Sequence, residues 1–296
     1  MKDFTLTAYR QLLQSIKEAG YSFFTFEDWC DGKATGNFVI LRHDVDLKAE
    51  NSLAIARIEA EMGICSTYYF RVVPQSNKPE IILSIAELGH EIGYHYEDMA
   101  ICQGDAAKAK EHFILQLEYF RNFYPVRTIC MHGSPTSKWD NRELWKNIDY
   151  SDFGVIGEPY IDFLSKASEN SQGMSYFTDT ARMWNGERYN LRDKSPVQKQ
   201  SDPDMEPQGI NSATDCSEFQ KIHTTFDLIG WFNTMPTKNG IMITTHPQRW
   251  TDHSMAWIME LVKQSVKNRI KKYMVKRLKE IDKDCPQITQ INTDYF

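Results

Sequence analysis

No stretch of about 18 consecutive apolar residues occurs anywhere in the 296-residue chain, so no membrane span is expected. The first residues, MKDFTLTAYRQLLQ, hold neither the apolar core nor the small-residue cleavage site of a signal peptide. A cytoplasmic location is expected. Cysteine is sparse and scattered: Cys30, Cys65, Cys102, Cys130, Cys216 and Cys285 include no C-x-x-C pair. That pattern excludes a disulfide framework and a zinc knuckle. Basic excess is missing too. The net charge is -6, which leaves no overall field for nucleic acid, and none is expected as a partner. There is no internal repeat and no break in composition, so residues 1–296 read as a single domain.

What is present is ample core material, 41% hydrophobic and 12% aromatic. Tyr9, Leu12, Leu13 and Ile16 share one helical face, with Thr7 as its cap and Gly20 as its stop. Apolar runs at 38–43, 66–72, 90–95, 126–132, 153–157 and 240–246 read as strands. Helical patterns at 49–62, 79–89, 105–123, 140–147 and 217–234 stand between or beside them. Residues 176–191 read as extended pieces and 192–215 as a long loop. Strands alternating with helices imply right-handed parallel crossovers, hence an α/β barrel or a doubly wound sheet.

Four of these strands end in an imidazole or a carboxylate. FVILRHDVD ends in His43, Asp44 and Asp46, and EIGYHYED in His95, Glu97 and Asp98. TICMHG delivers His132, and IMITTH delivers His246. In parallel α/β folds the carboxyl ends of the strands share one rim, where ligands bind. Neutral imidazole and carboxylate suit zinc or another divalent transition metal, with cobalt and nickel the alternatives. Such an ion acidifies a water and polarises a carbonyl, while a second carboxylate and a histidine move protons. Asp44 and Asp46 thus read as two carboxylates for two roles.

Over residues 36–250 the chain resembles the polysaccharide deacetylases with a NodB homology domain, carbohydrate esterase family 4. GHEIGYH (89–95) is similar to the family's GHEIG-[ST]-H element, RHDVD to its first Asp motif, and ITTHP (243–247) to its last strand-to-histidine motif. The resemblance implies a distorted (β/α)7 barrel and a metal-dependent hydrolase that removes an N-acyl group, most simply acetyl, from an amino sugar. The substrate would be a carbohydrate of a surface polysaccharide or its lipid- or nucleotide-linked precursor. Carried over, Asp44 is the base, His246 the acid, Asp46 and His95 metal ligands, and His90 a structural histidine.

Three departures stand out. The family's second metal histidine falls on Met99, so the third ligand is expected at Asp98, one helical turn from His95, with Glu97 and His132 as rivals. The arginine that pairs with the base is replaced by His132 in MHGSP, which leaves Arg42 or Arg182 to supply the charge and His132 to contact substrate. The Asp-rich motif is only echoed by TDTARMW (178–184). There Asp179 would orient His246 and Trp184 would wall the pocket, against the plainer reading of a surface loop. Beyond His246, Arg249 and Trp250 suit an anionic sugar. Met99 and the missing arginine also support an alternative, a metal-less sugar-binding barrel. Hydrolysis of another small amide C–N bond is a third reading.

The chain closes with a helix over 253–282. Its apolar positions Ile258, Val262, Val266, Ile270, Tyr273 or Met274, Leu278 and Ile281 follow helical spacing. Lys263, Lys267, Arg269, Lys271, Lys272, Lys276, Arg277 and Lys279 accompany them, with no acid between Leu261 and Lys279. The pattern predicts an apolar stripe packed on the barrel with a basic face in solvent, or peripheral contact with an anionic membrane.

Overall fold

The computed structural model describes residues 2–134, 137–164, 174–184, 222–234 and 240–284. The long loop expected at 192–215 lies outside them. The chain is a mixed α/β structure with a curled, all-parallel sheet that forms a half-barrel. Helix α1 (Leu6–Glu18) is capped by the hydroxyl of Thr5, not Thr7, and buries Tyr9, Leu12, Leu13 and Ile16. Strand β1 (Ser22–Phe24) and helix α2 (Phe26–Cys30) follow. Neither was legible in the sequence, because three and five residues are too short to show a period.

The central strand is β2 (Phe38–Val45), buried along its whole length. Around it run β3 (Thr67–Phe70), β4 (Glu91–Tyr96), β5 (Ile129–Met131), β6 (Met174–Thr178) and β7 (Gly240–Thr245), in the order β5-β4-β3-β2-β7-β6. On one side β2 pairs with β7 over residues 38–43. On the other, β1 pairs with its first half and β3 with its second. The expected strand at 153–157 is reduced to one parallel bridge, Thr128 to Gly157, and a turn of π-helix at Pro159–Phe163 follows. The crossovers are α3 (Ala49–Glu61), α4 (Pro79–Glu87), α5 (Asp98–Ile101), α6 (Ala106–Arg121) and α7 (Thr225–Thr234); α8 (Ser254–Asp284) ends the described chain. Residues 141–146 form a 3-10 helix rather than an α-helix.

Close strand packing at β4 depends on a glycine. A Cβ on Gly93 of β4 would lie 2.3 Å from the Tyr69 ring and 2.9 Å from the Thr128 carbonyl. Such distances admit only glycine, so the GHEIG stretch lets Tyr69 lie flat between β3 and β5. Among the described residues no helix is long and apolar enough to cross a membrane. No disulfide joins any two of the four described cysteines, Cys30, Cys65, Cys102 and Cys130.

The last helix departs from the expected packing. Its polar residues Glu260 and Gln264 are buried, while Met255, Ile258, Met259, Val262, Val266 and Ile270 are exposed. The apolar stripe therefore faces away from the half-barrel.

Candidate metal and acid–base centre

Strand periodicity sets the two sides of β2. Arg42 and Asp44 point to one face and His43 to the other, as alternation requires. Beyond the strand, the Asp46 N–H bonds back to the Asp44 carbonyl at 3.0 Å. This tight turn keeps both carboxylates at the carboxyl-end rim.

Asp44 is held by its strand neighbour. Arg42 donates from Nε to Oδ1 at 2.8 Å and from Nη2 to Oδ2 at 2.6 Å, and Nη2 also reaches the Tyr160 hydroxyl at 2.8 Å. Burial pushes the Asp44 carboxyl up, but Arg42, His95 and His246 outweigh it, so the net pKa is lowered and Asp44 stays ionised. Of Arg42 and Arg182, it is Arg42 that supplies the positive charge beside Asp44. Arg182 instead donates to the Trp257 carbonyl.

Asp46 meets two imidazoles. Its Oδ1 lies 3.6 Å from His95 Nε2 and 3.4 Å from His132 Nε2. Gln248 donates to its Oδ2 at 3.2 Å. Each ring is anchored through its other nitrogen: His95 Nδ1 donates to the Cys130 carbonyl at 2.9 Å, and His132 Nδ1 to Glu97 Oε2 at 2.8 Å. Arg71 grips Glu97 with two bonds, at 2.9 and 2.7 Å. Burial drives the His95 pKa down to about 4, so this ring is neutral at neutral pH and turns a bare lone pair toward Asp46. Asp46 is itself held well below the usual carboxylate range. Burial opposes ionisation there, but His132, His246 and His95 outweigh it.

This arrangement fits a divalent cation. Asp46 Oδ1 is buried and without a hydrogen-bond partner. The bare His95 nitrogen faces the Asp46 oxygen at 3.6 Å, which is unfavourable unless a cation sits between them. Zinc with bonds of about 2.1 Å separates its tetrahedral ligands by about 3.4 Å, close to the two edges from Asp46, while the His95 and His132 nitrogens lie further apart and one ring would have to turn inward to close the third edge. Imidazoles fixed from behind by a carbonyl and a carboxylate are the usual support of metal histidines.

A second grouping shares one of these residues. Asp44, His95 and Cys130 each present a ligand atom within 4.8 Å of one another, all buried, and could hold a metal ion. Both oxygens of Asp44 are already engaged by Arg42, however, and His95 Nε2 lies 4.0 Å from Asp44 but 3.6 Å from Asp46. The two groupings share His95, and Asp46 brings the carboxylate oxygen that has no hydrogen-bond partner.

The other rim histidine is set up differently. His246 Nδ1 lies 2.6 Å from Asp179 Oδ1, and its backbone N–H donates to Oδ2 at 3.0 Å. Asp179 also accepts from Arg249 Nη1 at 2.6 Å and from the Trp250 indole at 2.8 Å. Burial pushes the Asp179 carboxyl up, while Arg249 and His246 outweigh it and hold its pKa low. A buried carboxylate behind the ring fixes the tautomer with Nδ1 protonated and leaves Nε2 for proton exchange.

Several expectations change accordingly. Asp98 is not at the rim. Its carboxylate accepts from the Tyr94 hydroxyl at 3.0 Å and pairs with His112 Nδ1 at 2.5 Å, on the α6 side of β4. Strand alternation turns Tyr94 away from His95, and Asp98 follows it. The imidazole that stands beside Asp46 with His95 is His132, just after β5, and Glu97 holds that ring. Met99 is buried in the core. Arg249 and Trp250 stand behind His246 on Asp179 instead of facing a sugar, and Trp250 is 1% exposed. Asp179 is fully buried, so the surface-loop reading fails. Trp184 packs in the core, bonded to Thr225.

Beside His132 opens a pocket of about 420 Å³, lined by Arg71, Glu97, Ser134, Lys138 and Trp139 among others. No family model, no curated protein and no solved structure matches this chain.

Proposed function

We propose that the chain is a metal-dependent amidohydrolase of the polysaccharide-deacetylase type, which removes an N-acyl group, most simply acetyl, from an amino sugar. The observation that carries this reading is the buried, unpartnered Asp46 Oδ1 faced by the Nε2 atoms of His95 and His132. The half-barrel would then be the described part of a distorted (β/α)7 barrel, with the Gly157 bridge beside β5 as a remnant strand.

Asp46, His95 and His132 would hold the cation, with zinc favoured by one oxygen and two nitrogen donors. When bound, it supplies an acidified water and a polarised acyl carbonyl. Asp44 takes the proton released on attack. Arg42 keeps Asp44 ionised, which makes it a weak base, so only an acidified water suits it. His246 returns a proton to the departing amine from Nε2, with Asp179 stabilising the charged ring.

What favoured a metal-less sugar binder was Met99 at the expected ligand position and the missing motif arginine. The positions of His132 beside Asp46 and Arg42 beside Asp44 favour the hydrolase reading over that binder. The test is metal content followed by turnover. The purified chain reloaded with zinc, cobalt or nickel should hold one ion and release acetate from an N-acetylated amino sugar. Absence of stoichiometric metal after reloading overturns the reading.

A further inference from the structure

The final helix docks with its polar side. Glu260 pairs with Lys48 at 3.4 Å, Gln264 bonds Asn268 at 2.7 Å, and Asn268 donates to the Ala181 carbonyl at 3.1 Å. The opposite side is apolar and bare: Met255 is 63% exposed, Met259 68%, Val262 57%, Val266 52% and Ile270 55%. At 100° per residue these five, with Ile258, fall within one arc of the helix centred opposite Gln264. An outward apolar stripe of this kind on a solvent-exposed surface marks a place where something apolar docks.

Charge decides what docks. Lys263 borders the stripe, Arg269 lies within its arc and Lys267 sits further round; all three are exposed and form no ion pair among the described residues. The sequence adds Lys271, Lys272, Lys276, Arg277 and Lys279, and no acid interrupts Leu261 to Lys279. A second copy placed face to face would set these cations against their own images, which electrostatics disfavours. An anionic lipid surface answers both features, because acyl chains receive the stripe and headgroups receive the cations. We propose that α8 lies in the plane of an anionic membrane surface and holds the half-barrel there. With 31 residues it would span about 46 Å at about 1.5 Å per residue. The proposal stands apart from the metal chemistry.

The experiment is sedimentation of the full chain with phosphatidylcholine vesicles, with and without phosphatidylglycerol. The chain should pellet with the anionic vesicles alone and be released by high salt. Val262→Glu with Val266→Glu should abolish pelleting without changing far-UV circular dichroism, since both side chains already face water. Lys263→Gln and Lys267→Gln should each weaken partitioning about five-fold. Asp46→Asn should pellet like the parent, so loss of the metal reading leaves this one untouched. A chain that stays in the supernatant overturns the proposal. If it is then a dimer that Val266→Glu dissociates, a second copy covers the stripe; if it is a monomer, another part of the chain does. Equal pelleting with both vesicle types also overturns it, because the cations would then contribute nothing.

Discussion

Strand β2 carries buried charge on both faces, and the two faces are built differently. Behind the strand, His43 bonds Thr245 at 2.6 Å and Glu59 at 2.8 Å. Glu59 also accepts from the hydroxyls of Tyr9 at 2.5 Å, Ser66 at 2.6 Å and Tyr68 at 2.6 Å. None of these polar atoms is left without a partner. On the rim, by contrast, Asp46 Oδ1, Gln248 Oε1 and Arg42 Nη1 are buried and unpartnered. An unmet buried polar atom costs about 1–3 kcal/mol, so a fold that satisfies one face and leaves the other short is holding room for a ligand. The satisfied charge behind β2 reads as architecture, and the unmet Asp46 oxygen on the rim is where the proposed cation would sit.

The comparison breaks most directly at Asp46. Asp46→Asn should cost turnover about a thousandfold or more, because an amide oxygen is a far weaker cation ligand. It should also abolish stoichiometric metal binding while the metal-free protein melts where the parent does. Unchanged metal content in the variant would move the cation to the Asp44–His95–Cys130 group. Glu59→Gln is the mirror experiment. Gln offers one acceptor where four donors converge, so folding free energy should fall by about 3–5 kcal/mol while one metal per chain is retained. Chemical denaturation and metal analysis on the two variants should give opposite patterns.

Smaller in effect is Asp179→Asn, which keeps the shape behind His246 but loses the charge. We expect turnover to drop about a hundredfold or more with metal content unchanged, since the ring can then adopt the other tautomer. Equal loss of metal and turnover would show that Asp179 supports the fold as a whole rather than the imidazole.

How much of this was legible before folding follows from the range of each signal. Period-2 alternation and strand-end polarity located Asp44, Asp46, His95, His132 and His246, because both signals are local. Asp98 misled, since helical spacing from His95 was applied across the end of β4, where strand alternation sends Tyr94 and Asp98 to the outer side. Arg249 and Trp250 misled because an arginine beside an aromatic looks the same whether it faces a sugar or a buried carboxylate. Only the contact with Asp179, 70 and 71 residues away, separates the two. His132 as partner to His95 is likewise a pairing of β4 with β5 that no spacing rule reports.

The finest test concerns Glu91, a carboxylate of the same sheet that is satisfied without any cation. It accepts from the Glu27 N–H at 2.9 Å and from the hydroxyls of Thr67 at 2.7 Å and Thr128. Burial pushes its pKa from 4.5 to about 7 against those hydrogen bonds. Unfolded chains release this proton near 4.5, folded ones near 7, so the stabilisation is complete below 4.5 and lost as pH rises through about 7. Glu91→Gln keeps the shape of the neutral acid and removes that loss. It should gain about 1–3 kcal/mol over the parent at mildly alkaline pH and nothing at about pH 4. Part of the alkaline decline should persist, because burial raises Glu158 to about 7 as well, where it accepts the Met131 N–H at 2.8 Å. Denaturation midpoints with the same pH slope in parent and variant would mean that three donors suffice to keep Glu91 ionised. In that case it belongs with Glu59 of α3, where burial is outweighed by the charge of His43, its hydrogen bond and the neighbouring His90 and Ser66, so that the pKa is lowered to about 2.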